Sequence, residues 1–115
     1  MSASGRTPVS EIKAMWLMVM FDLPMVTQEE KHNYVHFRKS LLAEGFQALQ
    51  YSVYAKYSCC RENAQKYYRY IGEIVPPGGY VRLLMVTDKQ FGEMVSLYGK
   101  TVREVEKKPE QLLLF

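Results

Sequence analysis

Residues 15–24 read MWLMVMFDLP: seven apolar residues, then an aspartate, with a proline two places further on. Met15 to Phe21 is apolar at both parities. A strand with one wet face alternates, so this strand is expected to be covered on both sides. Pro24 cannot donate to a sheet ladder and stops simple continuation. Asp22 therefore stands at the mouth of a buried strand, in a chain with only two aspartates, Asp22 and Asp88, against ten glutamates.

Outward from that strand, Thr27 and Glu30 have capping-box spacing and open a helix of about seventeen residues that ends at Gly45. Its apolar stripe is Tyr34, Phe37, Leu41 and Leu42. FQALQYSVYAKY (46–57) reads as two short strands broken near Gln50 to Ser52. A second helix runs from Arg61 to Ile74, with Ala64, Tyr67, Tyr68, Ile71 and Val75 inward and Glu62–Lys66 and Arg69–Glu73 as outer pairs. PPGG (76–79) stops it, and YVRLLMVT (80–87) is another largely apolar strand. Asp88 then opens a short helical turn through Met94, followed by a small strand at Val95–Tyr98. A charged connector, GKTVREVEKKPE, leads to the closing apolar run LLLF.

This order is βαββαβ, an α+β ferredoxin-like sandwich with an additional C-terminal strand. Right-handed crossovers place both long helices on one sheet face. The opposite face is then left without cover from the chain. A second copy with its sheet facing the first, related by a two-fold axis, is the economical way to bury it. LLLF is expected to add to a sheet edge, its own or the partner's.

A length of 115 residues, 48% of them apolar, fits one packed domain. We place that domain at residues 14–115 and read residues 1–13 as a disordered leader or expression remnant. No apolar window is long enough to span a membrane, and no secretory signal is recognisable. Cys59 and Cys60 are adjacent and lack metal-ligand or redox spacing, which suits free thiols in a reducing cytoplasm. The net charge of +3 is unevenly spread: residues 31–82 hold eight Lys/Arg and three Glu, a local balance of 8 − 3 = +5. That imbalance hints at a polyanionic partner.

Two readings of Asp22 stand at this level. A carboxylate at the rim of a sheet is a hard ligand suited to Mg²⁺, and a two-fold axis would bring a second Asp22 for phosphodiester hydrolysis. Alternatively, Asp22 satisfies backbone N–H groups in the DLP turn. Thr87 or Asp88 reads as a helix cap, with Gln90 at N3. His32 and His36 share metal-pair spacing but lack the glutamate of H-E-x-x-H and any third histidine, so they read as solvated. Arg38, Lys39, Lys56, Arg61, Lys66, Arg69 and Arg82 are the basic residues that could line a phosphate-binding face, and Arg38, Lys39, Arg61 and Lys66 are singled out for phosphate contacts. The tyrosines between 51 and 80 read as core and seam before base-stacking groups.

These segments, VMFDLP, YVHFRKSLLAEGFQALQYSVYAKY, CRENAQKYYRYI, PPGGYVRLLMVTDKQFGEMVSLYGK and QLLLF, together resemble the CRISPR-associated Cas-two family in its type II form. The resemblance runs from Met15 to Phe115. It implies a ferredoxin-like homodimer with facing sheets, and a C-terminal strand reaching to the partner. It implies that Asp22, paired across the dimer, is the catalytic and Mg²⁺-binding residue for cleavage of RNA or DNA. It also implies a scaffold role in spacer acquisition, in which the dimer binds duplex DNA and bridges two dimers of the Cas-one integrase. A stand-alone endoribonuclease of the toxin type, on RNA, is the first alternative. An RRM-like RNA-binding module is the second, although YVRLLMVT lacks the expected aromatic pattern.

Overall fold

The computed structural model describes residues 13–99 and 101–109. Residues 1–12 of the 1–13 leader and the closing QLLLF lie outside the described residues, and with them the additional C-terminal strand.

The elements are β1 (Met15–Asp22), α1 (Gln28–Ala43), β2 (Gln47–Gln50), β3 (Val53–Ser58), α2 (Arg61–Ile74), β4 (Tyr80–Thr87), α3 (Asp88–Gly92), β5 (Ser96–Tyr98) and β6 (Thr101–Arg103). The first four strands form one sheet in the order β2-β3-β1-β4, with antiparallel pairing throughout, and this is the ferredoxin-like arrangement. Strand β1 is central because it is apolar on both sides.

Its odd residues, Met15, Leu17, Val19 and Phe21, pack with Tyr34, Phe37 and Leu41 of α1 and with Ala64 and Ile71 of α2. Both long helices thus cover one face. Thr27 caps α1 as its spacing requires: the Glu30 N–H donates to Thr27 Oγ1 at 3.0 Å, and the Thr27 N–H donates to Glu30 Oε1 at 2.9 Å. At the other end Gly45 reverses the chain at φ +93°. Two expected core positions are corrected. Leu42 and Tyr68 are exposed, because each lies one residue off the stripe that faces the sheet; Tyr70 and Ile74 pack there instead.

The even residues of β1 face the other way. Trp16 is 1% exposed and stacks on Phe91 of α3, ring centroids 3.9 Å apart and planes 7° from parallel. Met94, Val105 and Leu49 complete this second cluster. The expectation that nothing within the chain covers this face is therefore corrected: α3 is one short turn, but a single aromatic closes the Trp16 half. The other half holds Met20, Val53, Leu84, Arg82 and Tyr80. Leu84 is 49% and Tyr80 59% exposed. A further correction concerns the charged connector, part of which is strand β6, paired with β5 as a hairpin.

Candidate functional site

Asp22 lies at the half of this second face that the described residues leave uncovered. Its neighbours in sequence, Phe21 and Leu23, are both buried, so strand alternation turns Asp22 away from the helices. Two contacts hold the strand end in place. The Phe21 N–H donates to the Ser52 carbonyl at 3.0 Å. Gly79 lies so close to Leu23 that a Cβ there would meet Leu23 Cδ2 at 2.6 Å. The Asp22 side chain is exposed, and no hydrogen bond to it is found among the described residues. No group of three His, Cys, Asp or Glu able to hold a metal occurs among the described residues, so a single chain offers one carboxylate here.

Beside it stands a cation. Asp22 pairs with Tyr80 and Met20 with Arg82, so Arg82 is the diagonal neighbour of Asp22 on the same face. Diagonal pairs in antiparallel ladders lie ~7–8 Å apart, within reach of long side chains. Arg82 donates to the Tyr80 hydroxyl from Nε at 3.2 Å and from Nη2 at 2.9 Å. Its guanidinium carbon sits 5.0 Å from the Tyr80 ring centroid.

The basic residues singled out from sequence are carried by the helices, on the other side of the sheet. Arg38 and Lys39 are exposed on α1, where Arg38 lines a cleft of about 530 Å³ with Tyr34, Gln50, Tyr51 and Tyr54. Arg61 opens α2 and points Nη1 at Met85 Sδ, 3.6 Å away. Lys66 places its ammonium 5.3 Å from the Tyr67 ring centroid, and Lys56 places its own at 5.4 Å. Burial and the nearby Lys66 push the Lys56 ammonium below its ordinary range, while the Glu44 carboxylate partly offsets them.

Asp88 does more than its local sequence indicates. Thr87 is the cap of α3, in a capping box with Gln90. The Asp88 carboxylate instead accepts a hydrogen bond from Trp16 Nε1 at 2.8 Å. The only tryptophan is thus sealed by Phe91 and tied by Asp88. His32 and His36 are both exposed. Cys59 and Cys60 are free thiols with sulfurs 3.9 Å apart, and the contact with Cys60 pushes the Cys59 thiol up.

An exposed strand-end carboxylate on a half-covered ferredoxin-like sheet defines the class of site. Comparison with known proteins gives the family. The family model described as "CRISPR associated protein Cas2" matches residues 15–94. The CRISPR-associated endoribonuclease Cas2 of Parvibaculum lavamentivorans is 43% identical over 101 residues, 88% of this chain and 100% of that protein. The proteins of the same name from Flavobacterium psychrophilum and Ligilactobacillus salivarius are 38% and 39% identical. The first alignment covers 95% of both chains; the second covers 87% of this chain and 99% of its relative. This chain belongs to the Cas-two family. No helix among the described residues is long and apolar enough to cross a membrane.

Proposed function

We propose that this chain works as a homodimer in CRISPR spacer acquisition, binding duplex DNA and the Cas-one integrase, and that its paired Asp22 residues cleave phosphodiesters with Mg²⁺. RNA is the favoured substrate, since the relatives carry the name endoribonuclease. The observation that carries this reading is an exposed Asp22 with no hydrogen bond to it found among the described residues, on the uncovered half of an apolar sheet face. A turn role for Asp22 would tie that carboxylate to backbone N–H groups.

The donor set fits the metal only in duplicate. Mg²⁺ prefers carboxylate and water oxygens and is commonly held by one or two carboxylates. Asp22 and a two-fold copy meet that need, and the half-exposed Leu84 further along the same sheet face, opposite Met18, gives the sheets a reason to associate. Bound there, Mg²⁺ supplies charge neutralisation and a more acidic water. The Asp22 carboxylates would hold the metal and, by accepting a hydrogen bond, would orient the attacking water. In the reaction water oxygen bonds to phosphorus and the bond to the leaving ribose oxygen breaks. Water loses a proton to solvent and the leaving oxygen gains one.

For the scaffold role, phosphate contacts from Arg38, Lys39, Arg61 and Lys66 give sequence-independent affinity. The test combines Mg²⁺-dependent cleavage of short RNA and duplex DNA, DNA binding, and co-purification with the integrase, for the parent and Asp22→Ala. Cleavage abolished in the variant with binding intact supports both roles. Cleavage retained in the variant removes Asp22 from the chemistry, and failure to co-purify removes the scaffold.

A further inference from the structure

Arg82, one of the basic positions read from the sequence, is the cation that the sheet places on the same face as Asp22. We propose that Arg82 is a catalytic residue of this site, holding the non-bridging oxygens of the phosphate that Asp22 addresses. This inference rests on the Asp22 reading and deepens it.

Three observations support it. The first is register: Arg82 is the diagonal neighbour of Asp22, on the uncovered half of the face, so a phosphate at the strand end can meet both. The second is the state of the guanidinium. Nε and Nη2 both donate to the neutral Tyr80 hydroxyl. That bond fixes the orientation of the fork without neutralising its charge. The Nη1 side carries no bond to the phenol and is available for the bidentate contact that guanidinium makes with phosphate. The third is chemical need. A carboxylate repels a phosphate, and the negative charge on the non-bridging oxygens must be balanced as water adds. On this sheet face Arg82 supplies that balance from the strand beside Asp22. Tyr80 is then a positioning residue, acting through the guanidinium.

A structural explanation makes a different prediction. An exposed Arg–Tyr pair that merely decorates the sheet contributes little to folding, and its removal leaves nucleic-acid chemistry alone. The two are separated by Arg82→Ala, Arg82→Lys, Tyr80→Phe and Asp22→Asn, each assayed for RNA cleavage with Mg²⁺. RNA binding is titrated against salt in EDTA, and thermal stability is read at one protein concentration. The expected result for Arg82→Ala is a kcat lower by roughly 10²–10³-fold. Its salt slope falls by about 0.7 for each phosphate that is no longer neutralised, as for single strands. Arg82→Lys keeps the charge but not the fork, so the slope holds while kcat drops by at least about tenfold. Tyr80→Phe lowers kcat with the slope unchanged.

Arg82→Ala that cleaves at the parent rate with an unchanged slope overturns the proposal, and inactivity of Asp22→Asn in the same series leaves the Asp22 reading standing. Arg82→Ala that loses activity together with most of its thermal stability also overturns it, by making Arg82 a folding residue. If Asp22→Asn cleaves like the parent, or the parent does not cleave, the Asp22 reading fails. The metal-free titration then decides separately whether Arg82 holds phosphate.

Discussion

Replacing Asp88 tests how the second sheet face is closed. Trp16 is 1% exposed, and its indole N–H reaches Asp88 Oδ1 at 2.8 Å. Asp88→Ala removes an ionised acceptor and leaves a buried donor unpaired. Hydrogen bonds to charged groups contribute about 1.5–3 kcal/mol, so a loss of about 2 kcal/mol is expected. At this chain length that is a fall in Tm of roughly 8 °C. Asp88→Asn keeps an oxygen acceptor without the charge and should lose about half as much. The backbone tie from the Asp88 N–H to the Ala14 carbonyl, 3.0 Å, survives in both variants. Urea unfolding followed by far-UV circular dichroism measures the cost, at fixed protein concentration because association also stabilises. Trp16→Phe completes a double-mutant cycle: in that background Asp88→Ala should cost less than about 0.5 kcal/mol, giving a coupling above about 1 kcal/mol. If Asp88→Ala costs the same with Trp16 present or absent, the hydrogen bond is not what holds α3 to the sheet.

Gly45→Ala should lose about 1–2 kcal/mol, because its φ of +93° is unfavourable for an L-residue. The added Cβ would also fall 2.7 Å from Lys56 Nζ, a flexible end that can move. The cost should therefore persist in a Lys56→Ala background, and a full rescue there would assign it to the contact instead. Glu30 predicts a pH dependence. Hydrogen bonds from the backbone N–H groups of Thr27 and Val26 hold its carboxyl below the ordinary 4.5. The folded state thus binds fewer protons than the unfolded chain around that pH. Its contribution is present above pH 4.5 and is lost as pH falls through the lower folded value. Glu30→Gln should therefore be less stable than the parent at neutral pH and converge with it in acid. Denaturant titrations from acid to neutral pH check this, and a gap that widens in acid would contradict it.

Local chemistry made much of the fold legible. Both capping boxes, Thr27 with Glu30 and Thr87 with Gln90, form as their spacing requires. Helix α2 runs from Arg61 to Ile74, bounded by the features that mark it in the sequence. The apolar run at 15–21 implied two covered faces; the helices cover one, and among the described residues the second is closed only over its Trp16 half. What covers the second face was not legible, because Phe91 meets Trp16 from the far end of the chain and no periodicity encodes that contact. The same distance hid the second partner of Asp88, whose position after a strand reads as a cap. Strand β6 was hidden because Thr101, Val102 and Arg103 are all exposed, so burial leaves no alternating signature there. At the candidate site, the position of Asp22 was readable from one strand. Its relation to Arg82 depends on the register between two strands, which the sequence of neither contains.

The measurement that tests the central claim most directly is cleavage by a mixed dimer. Parent and Asp22→Asn chains carrying different tags are co-expressed, the heterodimer is isolated by sequential capture, and RNA cleavage with Mg²⁺ is compared with both homodimers. One site shared by two Asp22 residues predicts a heterodimer as inactive as the Asp22→Asn homodimer. A heterodimer with half the parent activity would contradict it, showing that each chain acts through its own carboxylate.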